Sequence, residues 1–238
     1  PDDRFKGIYN MAKEKKNLVS SALSGFFWVL SGTGAQSILQ FLVLVILARL
    51  VSPDDFGVVN AAMIVVGFSM IFTQLGVGPA LVQRSNLDER HLQTGFTISV
   101  LFGLILSIII IIMSSFIAAF FRMESLKLVL KVMALVFPLQ GISLLSESLL
   151  QRELKFRQFA LVQVVSYFLG YAVTGITLGF MGFGVWALVC AYTIQNVIKC
   201  VFLLILQPPP KRLQLDMKVA KELLYFGGGF TIARIGNY

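Results

Sequence analysis

The chain has 238 residues, of which 57% are hydrophobic and 13% charged, with a mean hydropathy of +0.82. A soluble domain carries about a quarter charged residues, so this composition excludes an ordinary soluble fold and places the chain among polytopic membrane proteins. The net charge of +8 does not argue for nucleic acid, because the basic residues cluster between apolar runs and form no aromatic-interleaved patch.

Residues 1–20 are polar and basic, with Arg4, Lys6, Lys13, Lys15 and Lys16. Apolar runs follow at Ser24–Leu50, Val58–Val82, Thr94–Phe121, Leu126–Leu150, Phe159–Met181 and Val185–Leu206. Each is near or above the ~20 residues that a spanning helix needs. A seventh run begins at Leu223 and reaches Tyr238. The first run is too long for a cleavable signal and lacks a small-residue cleavage pattern. Pro1 is not an initiator methionine, so further chain before it is expected. Breaks fall at Pro53 and Gly57, at Gly76 to Pro79, and at Pro208 to Pro210, as helix ends require. Gly182 and Gly184 leave so short a fifth connection that its two helices are expected to be antiparallel neighbours. The fold class is therefore all-α: a six-helix up-and-down transmembrane bundle plus the start of a seventh helix.

Lysine and arginine set the orientation. With the N-terminus cytoplasmic, the inner segments hold the first five basic residues, then Arg84 and Arg90, then Arg152, Lys155 and Arg157, then Lys211, Arg212, Lys218 and Lys221. The outer side keeps Arg49, Arg122, Lys127 and Lys131.

The polar residues inside the runs are not scattered. Thr33, Gln36, Ser37 and Gln40 share one face of the first helix, and Asn60, Gly67 and Gln74 repeat every seven residues along the second. The fourth carries Gln140, Ser143, Glu147 and Gln151. The fifth carries Gln163, Ser166, Tyr167, Gly170, Tyr171, Thr174 and Thr177, and the sixth Tyr192, Gln195, Asn196 and Lys199. Single small polar residues serve as helix-to-helix glue, contributing about 0.6 kcal/mol per contact. Several stripes together favour a shared aqueous cavity, because lipid cannot satisfy them. In the corner after the first helix, Pro53 stops the helix and Asp54 or Asp55 is expected to cap the next. Pro138 is expected to kink the fourth helix. Cys190 and Cys200 lie ten residues apart on one helix and cannot bridge. His91 has no partner cysteines, so neither a metal site nor a cofactor is expected.

Three stretches carry a resemblance. LARLVSPDDFG (Leu47 to Gly57), FTQLGVGPALVQR (Phe72 to Arg84) and ESLLQRELKF (Glu147 to Phe156) resemble the Wzx-type polysaccharide flippases of the multidrug/oligosaccharidyl-lipid/polysaccharide exporter superfamily. The resemblance implies twelve or more helices in two lobes, with alternating access between them and no enzymatic step. The expected cargo is an undecaprenyl-pyrophosphate-linked oligosaccharide moved from the inner to the outer leaflet of a bacterial inner membrane. It further implies membrane lipids as surroundings and a polysaccharide polymerase or export machinery as partner.

On that reading, residues 1–20 are a cytoplasmic basic segment and 21–206 a six-helix transmembrane lobe. Residues 207–222 are a cytoplasmic inter-lobe linker, and 223–238 begin the second lobe. Lys199 and Arg234 would face the pyrophosphate, arginine as a planar fork and lysine as a point charge. Glu147 would balance them or take part in ion coupling. Gln36, Gln40, Asn60, Gln74, Gln140, Gln195 and Asn196 would hydrogen-bond sugar hydroxyls, and Tyr167, Tyr171 and Tyr192 would stack on sugar rings. A multidrug-type exporter of small cations remains open, although it would favour an acidic cavity and Glu147 is the one acid well inside a complete run. A membrane-embedded glycosyltransferase would need a carboxylate-rich or histidine-bearing loop, and these loops are short and basic. A non-transporting membrane scaffold is the fourth alternative.

Overall fold

The computed structural model describes residues 34, 36–73, 77–83, 87–210, 213–223 and 225, and every regular element among them is helical. In chain order these are α1 (Gln36–Leu50), α2 (Pro53–Thr73), α3 (Val77–Gln83), α4 (Glu89–Phe121), α5 (Leu126–Ala134), α6 (Val136–Arg152) and α7 (Phe156–Tyr167). A π-helical segment, Phe168–Gly175, joins α7 to α8 (Ile176–Phe180), and α9 (Val185–Leu206) follows. A last short helix, α10, covers 217–223.

Four helical rods are long and apolar enough to cross a membrane: Glu89–Phe121, Leu126–Arg152, Phe156–Phe180 and Val185–Leu206. The chain is thus an all-α, multi-pass membrane protein. The expected first, second and seventh runs each include residues outside the described ones. The outward flank of α4 shows what surrounds the bundle: Ile112 and Phe120 are 74% and 76% exposed, a cost in water that acyl chains remove.

Local chemistry accounts for the breaks. Pro138 has no N–H to offer the carbonyl of Ala134, and its ring crowds that carbonyl. The helix is accordingly interrupted at Leu135, whose N–H turns to Val132 O at 3.1 Å. At the first corner the cap is Ser52 rather than Asp54 or Asp55. Ser52 Oγ accepts the Asp55 N–H at 3.2 Å and donates to Asp55 Oδ2 at 2.8 Å, so the serine caps the helix and the carboxylate holds its hydroxyl. Between α8 and α9, Gly182 and Gly184 have φ of 78° and 54°, so the chain reverses in four residues where a side chain would be strained.

The helices approach closely where glycine permits it. The buried face of α4 includes Gly95, Ser99, Gly103, Ser107, Ser114 and Ala118, a run of small residues of the kind that lets membrane helices touch backbone to backbone. It meets α6 antiparallel: Gly103 lies against the backbone of Phe137 and Pro138, and Gly141 against that of Ser99 and Val100. Gly170 of the π segment sits equally close to Ala191 and Gln195 of α9. A buried apolar cluster joins α1, α2, α5 and α9 through Leu47, Ala62, Leu130, Met133 and Ala187.

A second cluster occupies the other end of the bundle. Val77 and Leu81 of α3, Phe96 of α4 and Leu145 of α6 bury Val219, Ala220 and Leu223 of α10. Residues 217–223, which straddle the expected boundary between linker and second lobe, thus pack onto the bundle. Asp216 starts α10 by accepting the Lys218 N–H at 2.9 Å, and its own N–H donates to Thr94 Oγ1 at 3.2 Å. Nearby, Arg152 Nη1 donates to Leu81 O at 3.0 Å, placing a cation at the negative C-terminal end of α3.

Candidate functional site: a polar seam between three helices

Many hydroxyls within the helices are satisfied by their own backbone. Ser99 donates to Gly95 O, Ser143 to Leu139 O, Thr177 to Val173 O and Thr193 to Val189 O, at 2.6–2.9 Å. Such back-bonding removes the need for water. What remains are the amides, the phenols and one ion pair. These gather on α6, on α7 with its π segment, and on α9.

Glu147 lies five residues from the end of α6 and Lys199 seven from the end of α9, depths of about 8 and 10 Å along parallel rods. At matching depth they meet: Lys199 Nζ to Glu147 Oε2 is 2.8 Å, with side chains 22% and 23% exposed. A lone charge there would cost several kcal/mol, and the pairing offsets that cost. One to two turns deeper, Gln140 Nε2 donates to Asn196 Oδ1 at a long 3.4 Å, and Asn196 Nδ2 donates to Tyr192 O at 2.9 Å.

The phenols flank this pair of amides. Tyr167 and Tyr171 stack with ring centroids 4.8 Å apart and 12° between planes. They are held by the change to π register that begins at Phe168, where Thr174 Oγ1 donates five residues back to Leu169 O at 3.0 Å. Gly170, between the two tyrosines, brings their helix against Gln195. Ser166 Oγ is buried and makes no hydrogen bond, whereas the buried Tyr192 Oη has the Gln140 and Asn196 amides as its polar neighbours. An orphaned buried hydroxyl destabilises by about 1–3 kcal/mol. Ser166→Ala is therefore expected to leave thermal stability unchanged or raise it by about 1 kcal/mol. A clear fall in melting temperature in detergent would count against an orphaned hydroxyl.

The structure thus brings together Gln140, Glu147, Tyr167, Tyr171, Tyr192, Gln195, Asn196 and Lys199 on three neighbouring helices. It does not bring in the polar residues of α1 and α2. Gln36 is half-buried and Gln40 exposed on α1, and neither hydrogen-bonds to the seam. Asn60 is exposed on a flank of α2 shared with Ile64 and Phe68, each 65% exposed. Gln74 and Arg234 lie outside the described residues, so the expected pairing of Lys199 with Arg234 does too. The partner seen for Lys199 is Glu147, which equal depth below the same helix ends could have suggested. Ser166 belonged to the expected stripe on the fifth run, but its burial without a partner has no sequence signal. His91, at the start of α4, is also buried, with neither ring nitrogen hydrogen-bonded. Among the described residues no three His, Cys, Asp or Glu side chains gather as metal ligands.

Comparison with known proteins adds the following. Residues 46–238 match the family described as "Polysaccharide biosynthesis protein". The chain is 28% identical over 210 residues to the succinoglycan biosynthesis transport protein ExoT of Rhizobium meliloti (strain 1021), covering 88% of this chain and 42% of that protein. It is 25% identical over 182 residues to the teichuronic acid biosynthesis protein TuaB of Bacillus subtilis (strain 168), covering 76% and 37%. It is 20% identical over 183 residues to the lipopolysaccharide biosynthesis protein WzxC of Escherichia coli (strain K12), covering 77% and 37%. The chain thus spans about two fifths of the length of these relatives. No solved structure matches it.

Proposed function

The chain belongs to the polysaccharide biosynthesis protein family, and from that premise we propose that it is the N-terminal lobe of a lipid-linked oligosaccharide flippase. The cargo is an undecaprenyl-diphosphate-linked oligosaccharide, carried from the inner to the outer leaflet of a bacterial inner membrane. The N-terminus is cytoplasmic. This orientation puts Arg90, Arg152, Lys155, Arg157, Lys218 and Lys221 on the inner side.

The carrying observation is the polar seam between α6, α7 and α9, in a chain whose relatives are named for polysaccharide biosynthesis and transport. The task is one of solvation. A charged sugar headgroup must cross about 30 Å of hydrocarbon while its prenyl tail stays in lipid. A seam of amides, phenols and one ammonium supplies the contacts that the acyl chains cannot. Lys199 faces the diphosphate, with Arg234 as second cation. Gln140, Gln195 and Asn196 serve the sugar hydroxyls, and Tyr167, Tyr171 and Tyr192 supply ring faces. Gln36 and Gln40 of α1 would meet the cargo outside the seam. The break at Leu135 is a hinge for rocking one lobe against the other. A small-cation exporter would use Glu147 as its anionic contact, yet Lys199 already neutralises that carboxylate.

The full-length protein in proteoliposomes tests this reading. With a prenyl-diphosphate-linked oligosaccharide bearing a lectin epitope, the protein is expected to raise transbilayer exchange at least tenfold over protein-free vesicles. Combined Lys199→Gln and Arg234→Gln should return it to background. Exchange at the protein-free rate, or undiminished exchange in the double variant, would refute it.

A further inference from the structure

The bundle uses one face of α10 and leaves the other bare. Val219, Ala220 and Leu223 turn inward against α3, α4 and α6. On the opposite side Met217, Lys221 and Tyr225 follow one another at four-residue spacing, so they form one stripe. Lys218 stands beside it. Met217 and Tyr225 are 65% and 89% exposed, and the approach to the helix adds the exposed Leu213 and Leu215. The two acids of this segment lie off the stripe. Asp216 is half-buried at the start of α10, where it accepts the Lys218 N–H, and Glu222 lies on the far edge, beyond Lys218. The charge on the stripe itself comes from lysine.

The depth of this stripe is set by α4. That rod has 33 residues and is about 50 Å long, against about 30 Å of hydrocarbon. About two turns therefore stand in the headgroup layer at each end. Thr94 and Phe96 belong to the first two turns, and both hold α10: the Asp216 N–H donates to Thr94 Oγ1 at 3.2 Å, and Phe96 packs on its inner face. The bare face of α10 thus lies where headgroups meet acyl chains. Its residue types suit that layer. Tyrosine is enriched there, and lysine buries its stem along apolar surface while its ammonium reaches the phosphates.

We propose that the Met217–Lys221–Tyr225 stripe, with Lys218, is a binding surface for anionic phospholipid headgroups. Lys218 and Lys221 contact the phosphates, and Met217 and Tyr225 rest on the upper acyl chains. This lipid is a fixture of the rim and not cargo of the seam, so the proposal does not depend on what the seam carries. With the N-terminus cytoplasmic as proposed above, the lipid comes from the inner leaflet.

The test places a reporter in the stripe. Full-length protein carrying Tyr225→Trp is reconstituted in nanodiscs, and the added fluorescence is read as the difference from protein with Tyr225 intact. Nanodiscs present the same lipids on both faces, so orientation does not enter. Each lysine near an anionic surface contributes about fivefold, and Glu222 at the edge offsets part of that. Brominated phosphatidylglycerol is therefore expected to quench the reporter with about tenfold greater relative affinity than brominated phosphatidylcholine, falling towards parity at 1 M salt. Combined Lys218→Gln and Lys221→Gln should bring the two lipids to parity, whereas combined Lys218→Arg and Lys221→Arg should keep the preference. Both lysines are exposed, so neither pair of substitutions disturbs the packed face. Equal quenching by the two lipids in the lysine protein, or a preference that survives the glutamine pair, overturns the proposal. So does a reporter that neither lipid quenches, whether iodide reaches it from water or another part of the protein covers it.

Discussion

Gly141→Ala is expected to destabilise the bundle by about 3 kcal/mol, the upper part of the range for overpacking, although alanine is the better helix former. Alanine for glycine inside a helix ordinarily gains about 1 kcal/mol. Here the added methyl would collide with the Ser99 carbonyl oxygen of α4, a backbone atom that cannot swing away as a side chain can. The helices must separate, and every contact along their interface loosens with them. Gly103→Ala meets the mirror situation, its Cβ falling 2.5 Å from Phe137 O. Once one substitution has pushed the helices apart, the second finds room. The double variant should therefore cost clearly less than the sum of the singles, as expected for sites sharing one interface. Equilibrium unfolding in detergent measures all three. A Gly141→Ala protein as stable as wild type would mean that α4 and α6 do not cross at this separation.

Lys199→Gln should carry the next largest effect on stability, about 3 kcal/mol, because it strands the Glu147 carboxylate between membrane-spanning helices. The pair is less than a quarter exposed, so water recovers only part of that cost. Glu147→Gln should behave similarly by stranding the ammonium. The combined Glu147→Gln, Lys199→Gln variant removes both charges and leaves two amides able to hydrogen-bond, so it should recover most of the loss. A double variant no more stable than the worse single would show that the two residues act independently. The same double variant should still fail to translocate lipid-linked sugar, which separates the stabilising role of the pair from its role toward cargo.

Much of this was legible along the chain. The apolar runs from Thr94 onward coincide with rods that hydropathy and length alone define. Pro138 marked the interruption at Leu135, and Gly182 and Gly184 marked the tight reversal before α9. The resemblance read from Leu47 to Gly57 and from Glu147 to Phe156 to the Wzx-type polysaccharide flippases agrees with the family match over residues 46–238. At the first corner Asp54 and Asp55 are the expected caps, yet Ser52 accepts the Asp55 N–H three residues on. The small-residue face of α4 was also present in the sequence, in the spacing of Gly95, Ser99, Gly103 and Ser107.

Lipid tails are as apolar as a leucine side chain, so hydropathy can say that a segment lies in the membrane but not which flank meets lipid and which meets protein. The sequence by itself therefore determined the solvent, the helical class, the helix breaks and the family, each a matter of local chemistry or length. The tertiary structure alone decided that Asn60 shares an exposed flank with Ile64 and Phe68, and that α10 folds back onto the bundle through Val219, Ala220 and Leu223. It also decided that Lys199 is answered by Glu147. These choices depend on how closely two backbones can approach, and Gly103, Gly141 and Gly170 set that distance between residues far apart in the chain.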